Sequence, residues 1–207
     1  TLMSFLLRAV PRDEALLPTQ LGVGSIGGVE PILELLHQEL RACGQEGAPP
    51  RFLYSLDFSN AFNSVSRSLM AEAVREHAPE YYRLARWAYN LTAPVIVLTA
   101  AGEVTTIPST TGVRQGDPLG PFLFSVAIRG KLSLLQRTVA NAETDRVPSY
   151  LDDILIFSNR GDLLPAITAL FPPPDPLHRP PDGLILNLTK TRVTCLREAA
   201  THPEGLK

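Results

Sequence analysis

Cysteine, methionine, tryptophan and net charge are all scarce in this chain. Its 207 residues include two cysteines, two methionines and one tryptophan. Two thiols so far apart, Cys43 and Cys195, cannot build a disulfide framework. They are read as free thiols of a reducing compartment, which points to a nuclear or cytoplasmic chain, not a secreted one. The formal net charge is only −2, which excludes a free-standing module gripping polyanions through a strong basic field. It leaves room for an enzyme that holds such a partner through metal ions. No apolar run approaches the roughly 20 residues needed to cross a bilayer, so no membrane partner is expected. The opening Leu2–Leu7 run is short and lacks a basic leader, so it is not read as a signal peptide.

Hydrophobic residues make up 44% of the chain, and 19 prolines and 14 glycines punctuate it. Apolar residues at Ile32, Leu33, Leu35, Leu36 and Leu40 have helical spacing and predict a helix over Glu30–Cys43. A buried strand is predicted over Phe52–Asp57, followed by helices over Ser66–His77 and Glu80–Leu91. Val95–Leu98 and Val104–Ile107 read as a hairpin turning at Ala101-Gly102. A long apolar helix should fill Leu119–Val139. Two short strands, Val147–Tyr150 and Ile154–Phe157, flank Leu151-Asp152-Asp153. A helix over Leu163–Phe171 precedes a stretch, 171–183, with six prolines, which excludes regular structure. Leu184–Leu188 and Arg192–Leu196 are expected to close the chain as strands. Helices interleaved with mostly antiparallel strands make an α+β fold.

Three acids stand in apolar surroundings. Asp57 ends a strand between Leu56 and Phe58, and Asp152 and Asp153 lie between Leu151 and Ile154. A buried carboxylate is costly unless something positive compensates it, and adjacent carboxylates also repel. No basic residue lies near them in sequence, so a divalent cation is the natural remedy. Hard oxygen ligands at a partly open site suit Mg²⁺. Three acids could hold two ions for in-line displacement at phosphorus. Each acid alone is better read as a turn or cap residue.

Two loops change that balance. Backbone amides of Phe58–Phe62, which include those of Asn60 and Ala61, could face a triphosphate if the chain turns at the strand end. Phe62 could lie under a sugar and reject a 2′-hydroxyl by clash, although alone it reads as a core aromatic. Gly112–Pro121 opens a helix with a glycine loop, which brings Arg114, Gln115 and Gly116 close to a ligand. Lys190 could stabilise a departing pyrophosphate, but only its position after the Asp-Asp turn raises it above a surface lysine.

Taken in order, Leu56–Val65, Gly112–Pro121 and Tyr150-Leu151-Asp152-Asp153 resemble the motifs of reverse transcriptases of non-LTR retrotransposons. Gln20–Glu30 resembles the fingers segment just upstream in that family, and Leu186-Asn187 with Lys190-Thr191 resembles the later palm motif. The resemblance implies a right-hand polymerase palm with a ferredoxin-like antiparallel sheet, and part of the fingers in residues 1–50. The palm would fill 51–207, with a proline-rich insertion near 171–183. It implies DNA synthesis from dNTPs on an RNA template and a DNA primer, with two Mg²⁺ ions, for which Mn²⁺ could substitute. By position, Asp57 and Asp152 would bind metal with Asp153 beside them. Phe62 would gate the sugar, Asn60 and Ala61 would follow the triphosphate, Gln115 would pack near nucleotide and template, and Lys190 would face the leaving group.

The sequence departs from the pattern in places. Leu151 is bulkier than the usual small residue, and Asn63 stands where many relatives have Asp. The proline-rich stretch falls where a helix is due, basic fingers residues are missing upstream of Gln20, and no thumb segment is expected after Leu196. Two readings therefore stay open: a working polymerase domain, or a truncated or domesticated remnant that binds but does not polymerise. A phosphodiester-cleaving metal enzyme ranks behind both, because no His or extra Glu is placed to activate water. No sequence feature assigns an oligomeric state.

Overall fold

The computed structural model describes residues 15–24, 27–90, 93–141, 143–172 and 180–201. The Leu2–Leu7 run and residues 173–179 of the proline-rich stretch lie outside the described residues. Helix α1 spans Glu30–Cys43, as its apolar spacing predicts, with Pro31 in the first turn, where a missing N–H costs nothing. Strand β1 is Phe52–Leu56. A one-turn helix α2, Ala61–Ser64, follows, entered through Asn60 in the left-handed region at φ 52°. Helix α3, Arg67–His77, starts on Ser66, whose hydroxyl accepts from the Leu69 N–H at 3.3 Å. Helix α3 ends at His77, as Ala78, the residue before Pro79, leaves the helical region at φ −150° and ψ 58°, and Pro79 opens helix α4, Pro79–Tyr89.

Strands β2 (Ala93–Leu98) and β3 (Val104–Ser109) form a separate antiparallel hairpin. Helix α5, Gly120–Val139, is the spine of the core. Strands β4 (Ser149–Tyr150) and β5 (Asp153–Ser158) flank the Asp-Asp turn. Helix α6 (Leu164–Leu170), strand β6 (Arg192–Cys195) and helix α7 (Leu196–Thr201) complete the described chain. The expected strand over Leu184–Leu188 does not form. Leu186 makes a single bridge to Phe58. The backbone then turns, because the Asn187 carbonyl takes the N–H groups of Lys190 and Thr191 and its side chain accepts from Thr189.

The sheet order is β4-β5-β1-β6, and its pairings are antiparallel. The first and last strands are adjacent, and a hairpin reached through α5 flanks the first. This is the βαββαβ arrangement of a ferredoxin-like sheet. Strand alternation buries both faces. Tyr54, Leu56, Ile154 and Ile156 join Phe122, Leu123, Phe124 and Leu132 of α5 in the main core. Phe157, with Leu53 and Leu155, meets Leu36 and Leu40 of α1 and Leu196 of α7 on the opposite face.

A buried polar cluster ties α1 to the sheet. The Arg51 guanidinium donates twice to Glu39 at 2.7 Å and once to Asn159 at 3.0 Å. It also lies 3.5 Å from Asp145. Asp145 in turn accepts from the Ser158 hydroxyl at 2.9 Å and the Asn141 N–H at 3.0 Å.

Candidate active site

The site forms where β1 and the β4–β5 turn end together. The β1–β5 register runs from Phe52↔Ser158 to Leu56↔Ile154. One step further sets Asp57 opposite Asp153. Asp152 lies in the turn and Asp153 opens β5, and of the two only Asp152 lines the cavity. Burial is the first cause that pushes the Asp152 carboxyl above the ordinary carboxylate range; the charges of Asp153 and Asp57 add to it, against its own backbone N–H. Burial also raises Asp153, with Asp57 as the second cause. No basic side chain is among the causes for either acid. The three carboxylates thus feel one another without a cation from the chain. Among the described residues, no three His, Cys, Asp or Glu side chains converge tightly enough to hold an ion on their own. A cation here would need oxygens from a substrate or water besides Asp57 and Asp152.

The Asp-Asp turn is held in an unusual backbone shape. Leu151 adopts φ 58°, where a branched side chain is strained. Gln20, 1% exposed, grips it at both ends. Its Oε1 accepts from the Leu151 N–H at 2.8 Å, and its Nε2 donates to the Leu151 carbonyl at 3.2 Å. Gly22 lies so close that a Cβ there would sit 2.7 Å from the Leu151 nitrogen. Gln20 sits in the fingers-like segment but was not a candidate site residue, because nothing local marks a contact 131 positions away. Gln20→Ala should strand both backbone groups and cost about 1–3 kcal/mol, read by urea denaturation; an unchanged midpoint would discard the clamp.

A cavity of about 520 Å³ opens beside Asp152. Asn60, Ala61, Phe62 and Asn63 form one wall, and Arg114, Gln115, Gly116 and Asp117 form another. Six expected contact residues therefore meet one catalytic candidate in a single space. Phe62 is stacked on Phe124 at 4.3 Å and 11°, so it is both core packing and cavity wall. Gly112, at φ 69°, lets the second loop approach the first: a Cβ there would lie 2.4 Å or less from three backbone atoms of Asn63.

Four candidates stand apart from the cavity lining: Asp57, Asp153, Phe58 and Lys190. The Phe58 ring is buried edge-on against Phe171 at 4.9 Å, which leaves its backbone as the group near the strand end. Lys190 is exposed. Its turn hangs on the strand end through the Asn187 N–H donating to the Asp57 carbonyl at 2.8 Å.

Tyr89 braces the second loop, and sequence reasoning missed it as well. Its hydroxyl donates to Asp117 at 2.5 Å and accepts from the Arg114 N–H at 3.1 Å. Burial first, and the Asp117 bond second, push its pKa up to about 12. It therefore stays protonated as a donor. Arg67 and Arg114 lie over its ring at 5.3 and 5.1 Å, and Arg67 also donates to the carbonyls of Gly112 and Ser109.

Comparison with solved structures defines the class by fold. An apo telomerase from Candida tropicalis truncated from its C-terminal domain matches with a TM-score of 0.67 and 14% identity, over 94% of this chain and 39% of that one. The fold is thus that of a right-hand polymerase. Residues 12–201 match the family described as reverse transcriptase (RNA-dependent DNA polymerase), and the chain belongs to that family. The Trypanosoma brucei gambiense retrotransposable element SLACS 132 kDa protein is 30% identical, over 84% of this chain and 14% of its own length. The Pol polyprotein of a type-1 R2 retrotransposable element from Popillia japonica is 28% identical, over 73% and 22%. These relatives bear out the resemblance to the non-LTR type. This chain spans about a seventh to a fifth of their length. Divalent metals are general to the family. Among the described residues no helix is long and apolar enough to cross a membrane.

Proposed function

We propose that this chain is the catalytic part of an RNA-directed DNA polymerase that adds dNTPs to the 3′ end of a DNA primer on an RNA template. The reading is carried by one observation: Asp152, the Asn60-Ala61-Phe62 wall and the Arg114-Gln115-Gly116 loop line one cavity. Residues 51–207 are the palm, which accounts for every strand of the four-stranded sheet, and 1–50 belong to the fingers, with a proline-rich insertion near 171–183. The two free thiols fit a nuclear or cytoplasmic place of work, not secretion.

Asp57 and Asp152, with Asp153 beside them, would hold two Mg²⁺ ions, for which Mn²⁺ could substitute. When bound, such ions neutralise phosphate charge and lower the pKa of the attacking 3′-hydroxyl. The chain's own residues do the positioning. Backbone amides of Phe58, Asn60 and Ala61 face the triphosphate. Phe62, fixed by its stack on Phe124, sits under the sugar, where a 2′-hydroxyl would clash. Arg114 offers charge to the phosphates, while Gln115 and Gly116 shape the wall toward the paired base. Lys190 waits in solvent near the leaving group and stabilises pyrophosphate charge as it departs.

Primer extension on an RNA template, with Mg²⁺ and dNTPs, tests the proposal. Template-dependent DNA products support it. Their absence, even with flanking sequence restored, would favour the remnant that binds without polymerising. A second measurement addresses Phe62. Phe62→Ala should raise the kcat/KM ratio of a ribonucleotide to its deoxy counterpart about 10- to 200-fold, the range for one steric contact in a pocket. A ratio is insensitive to the fraction folded, so an unchanged value would remove Phe62 from the gate.

A further inference from the structure

Helix α4 buries Tyr81, Ala85 and Tyr89 and presents a different chemistry to solvent. Arg83, Arg86, Trp87 and Asn90 are all exposed. They fall at i, i+3, i+4 and i+7, so they form one stripe. Trp87 is 78% exposed and is the only tryptophan in the chain. Among the described residues, neither the Arg83 nor the Arg86 side chain makes an ion pair, and Glu80, one turn earlier, pairs with neither. With Tyr82, the stripe walls a groove of about 430 Å³. Arg86 and Asn90 also border a neighbouring recess of about 290 Å³, which reaches Arg67 and Thr110. Arg114, at the wall of the nucleotide cavity, lies over the same Tyr89 ring as Arg67.

We infer that this stripe is a binding track for single-stranded nucleic acid. Two uncompensated guanidiniums beside an open indole suit a chain that alternates phosphate and base. The arginines meet the backbone, and a base stacks on Trp87. A duplex hides its base faces and cannot use the indole that way. An apolar protein partner would find a single large apolar side chain between two charges, a poor match for a buried interface core. The recess toward Arg67 sets the direction of the track, from solvent toward the polymerase cavity. Binding at the stripe stands on its own chemistry; only its use by the unpaired template rests on the polymerase reading.

The test uses the intact chain and its single tryptophan. A roughly 12-nucleotide oligouridylate, within the usual site size, should quench Trp87 fluorescence saturably. An oligothymidylate arm tells whether RNA or DNA is the better ligand, and a duplex of equal length should quench far less. Binding of a labelled oligonucleotide, read by anisotropy, should weaken about 5- to 150-fold in Trp87→Ala and hold near the parent value in Trp87→Phe. Arg83→Ala with Arg86→Ala should flatten the log–log salt dependence by about 1.4, two phosphate contacts on a single strand. These are surface changes, so circular dichroism should match the parent. No quenching by either single strand, equal quenching by duplex, or equal competition by polyglutamate, which would mark a protein partner, overturns the proposal. In primer extension, the double arginine variant should raise the KM for template with kcat intact. If the chain extends no primer yet Trp87 is quenched as described, the polymerase reading falls and the track stands.

Discussion

Asp152→Asn is expected to abolish DNA synthesis and, without divalent cations, to raise stability. The loss should be on the order of 10³-fold or more. One preorganised charge-stabilising contact is already worth about 10²–10³, and Asp152 is the acid that faces the cavity. The gain has a separate origin. Burial, then Asp153 and Asp57, hold the Asp152 carboxyl above its ordinary pKa. In the window between the ordinary carboxylate pKa and the raised one, the folded state binds more protons than the unfolded state. Stability therefore falls as pH rises through that window, and the full penalty is present above it. The asparagine removes one charge from the cluster, so its melting temperature at pH 7 should exceed the parent's, and the slope from this group should vanish. Mg²⁺ should reverse the ranking. At about 100 times its Kd, a ligand specific to the folded state adds about 2.7 kcal/mol, and the parent should gain more than the variant. Extension within tenfold of the parent would remove Asp152 from the chemistry. A lower metal-free melting temperature would show that the carboxylate stabilises the fold.

Asp145→Ala should cost about 3–5 kcal/mol, the usual result of removing one partner from a buried ion pair. At this chain length that lowers Tm by about 6–20 °C. Four ties are lost at once: the ion pair with Arg51, the Ser158 and Thr144 hydroxyls and the Asn141 N–H. Burial pushes the Asp145 pKa up, but bonds from Asn141, Ser158 and Thr144 outweigh it and leave it below the ordinary value. The sign is thus opposite to Asp152. The stabilisation is complete above the ordinary carboxylate pKa and is lost as pH falls through the depressed one. The parent should show an acid limb in its stability curve that the variant lacks. A Tm within 2 °C of the parent would make the cluster incidental.

These two aspartates show how far the sequence reaches. Asp152 was legible because it recurs in order with Asn60-Ala61-Phe62 and Arg114-Gln115-Gly116, and ordered motifs survive without coordinates. Asp145 was not, because its partner Arg51 is remote and its value lies in being enclosed. Helix α1 could be read to the residue, since amphipathic spacing is local and Pro31 fits a first turn. Leu184–Leu188 could not, since its apolar pattern suits a strand while Asn187 turns the backbone away.

By itself, then, the sequence determined the family and most of the elements and singled out the acids and their neighbouring loops as candidates, all through local spacing and motif order. Only the tertiary structure decided which of those groups share a space. It put Asp152 in the cavity wall and Asp153 outside the lining at the start of β5, sent the Phe58 ring into the core, and left Lys190 in solvent. It also revealed Gln20 holding Leu151 and Tyr89 bracing the Arg114 loop. Such roles come from contacts between distant parts of the chain, and they are set by packing and hydrogen-bond satisfaction, which no local pattern records.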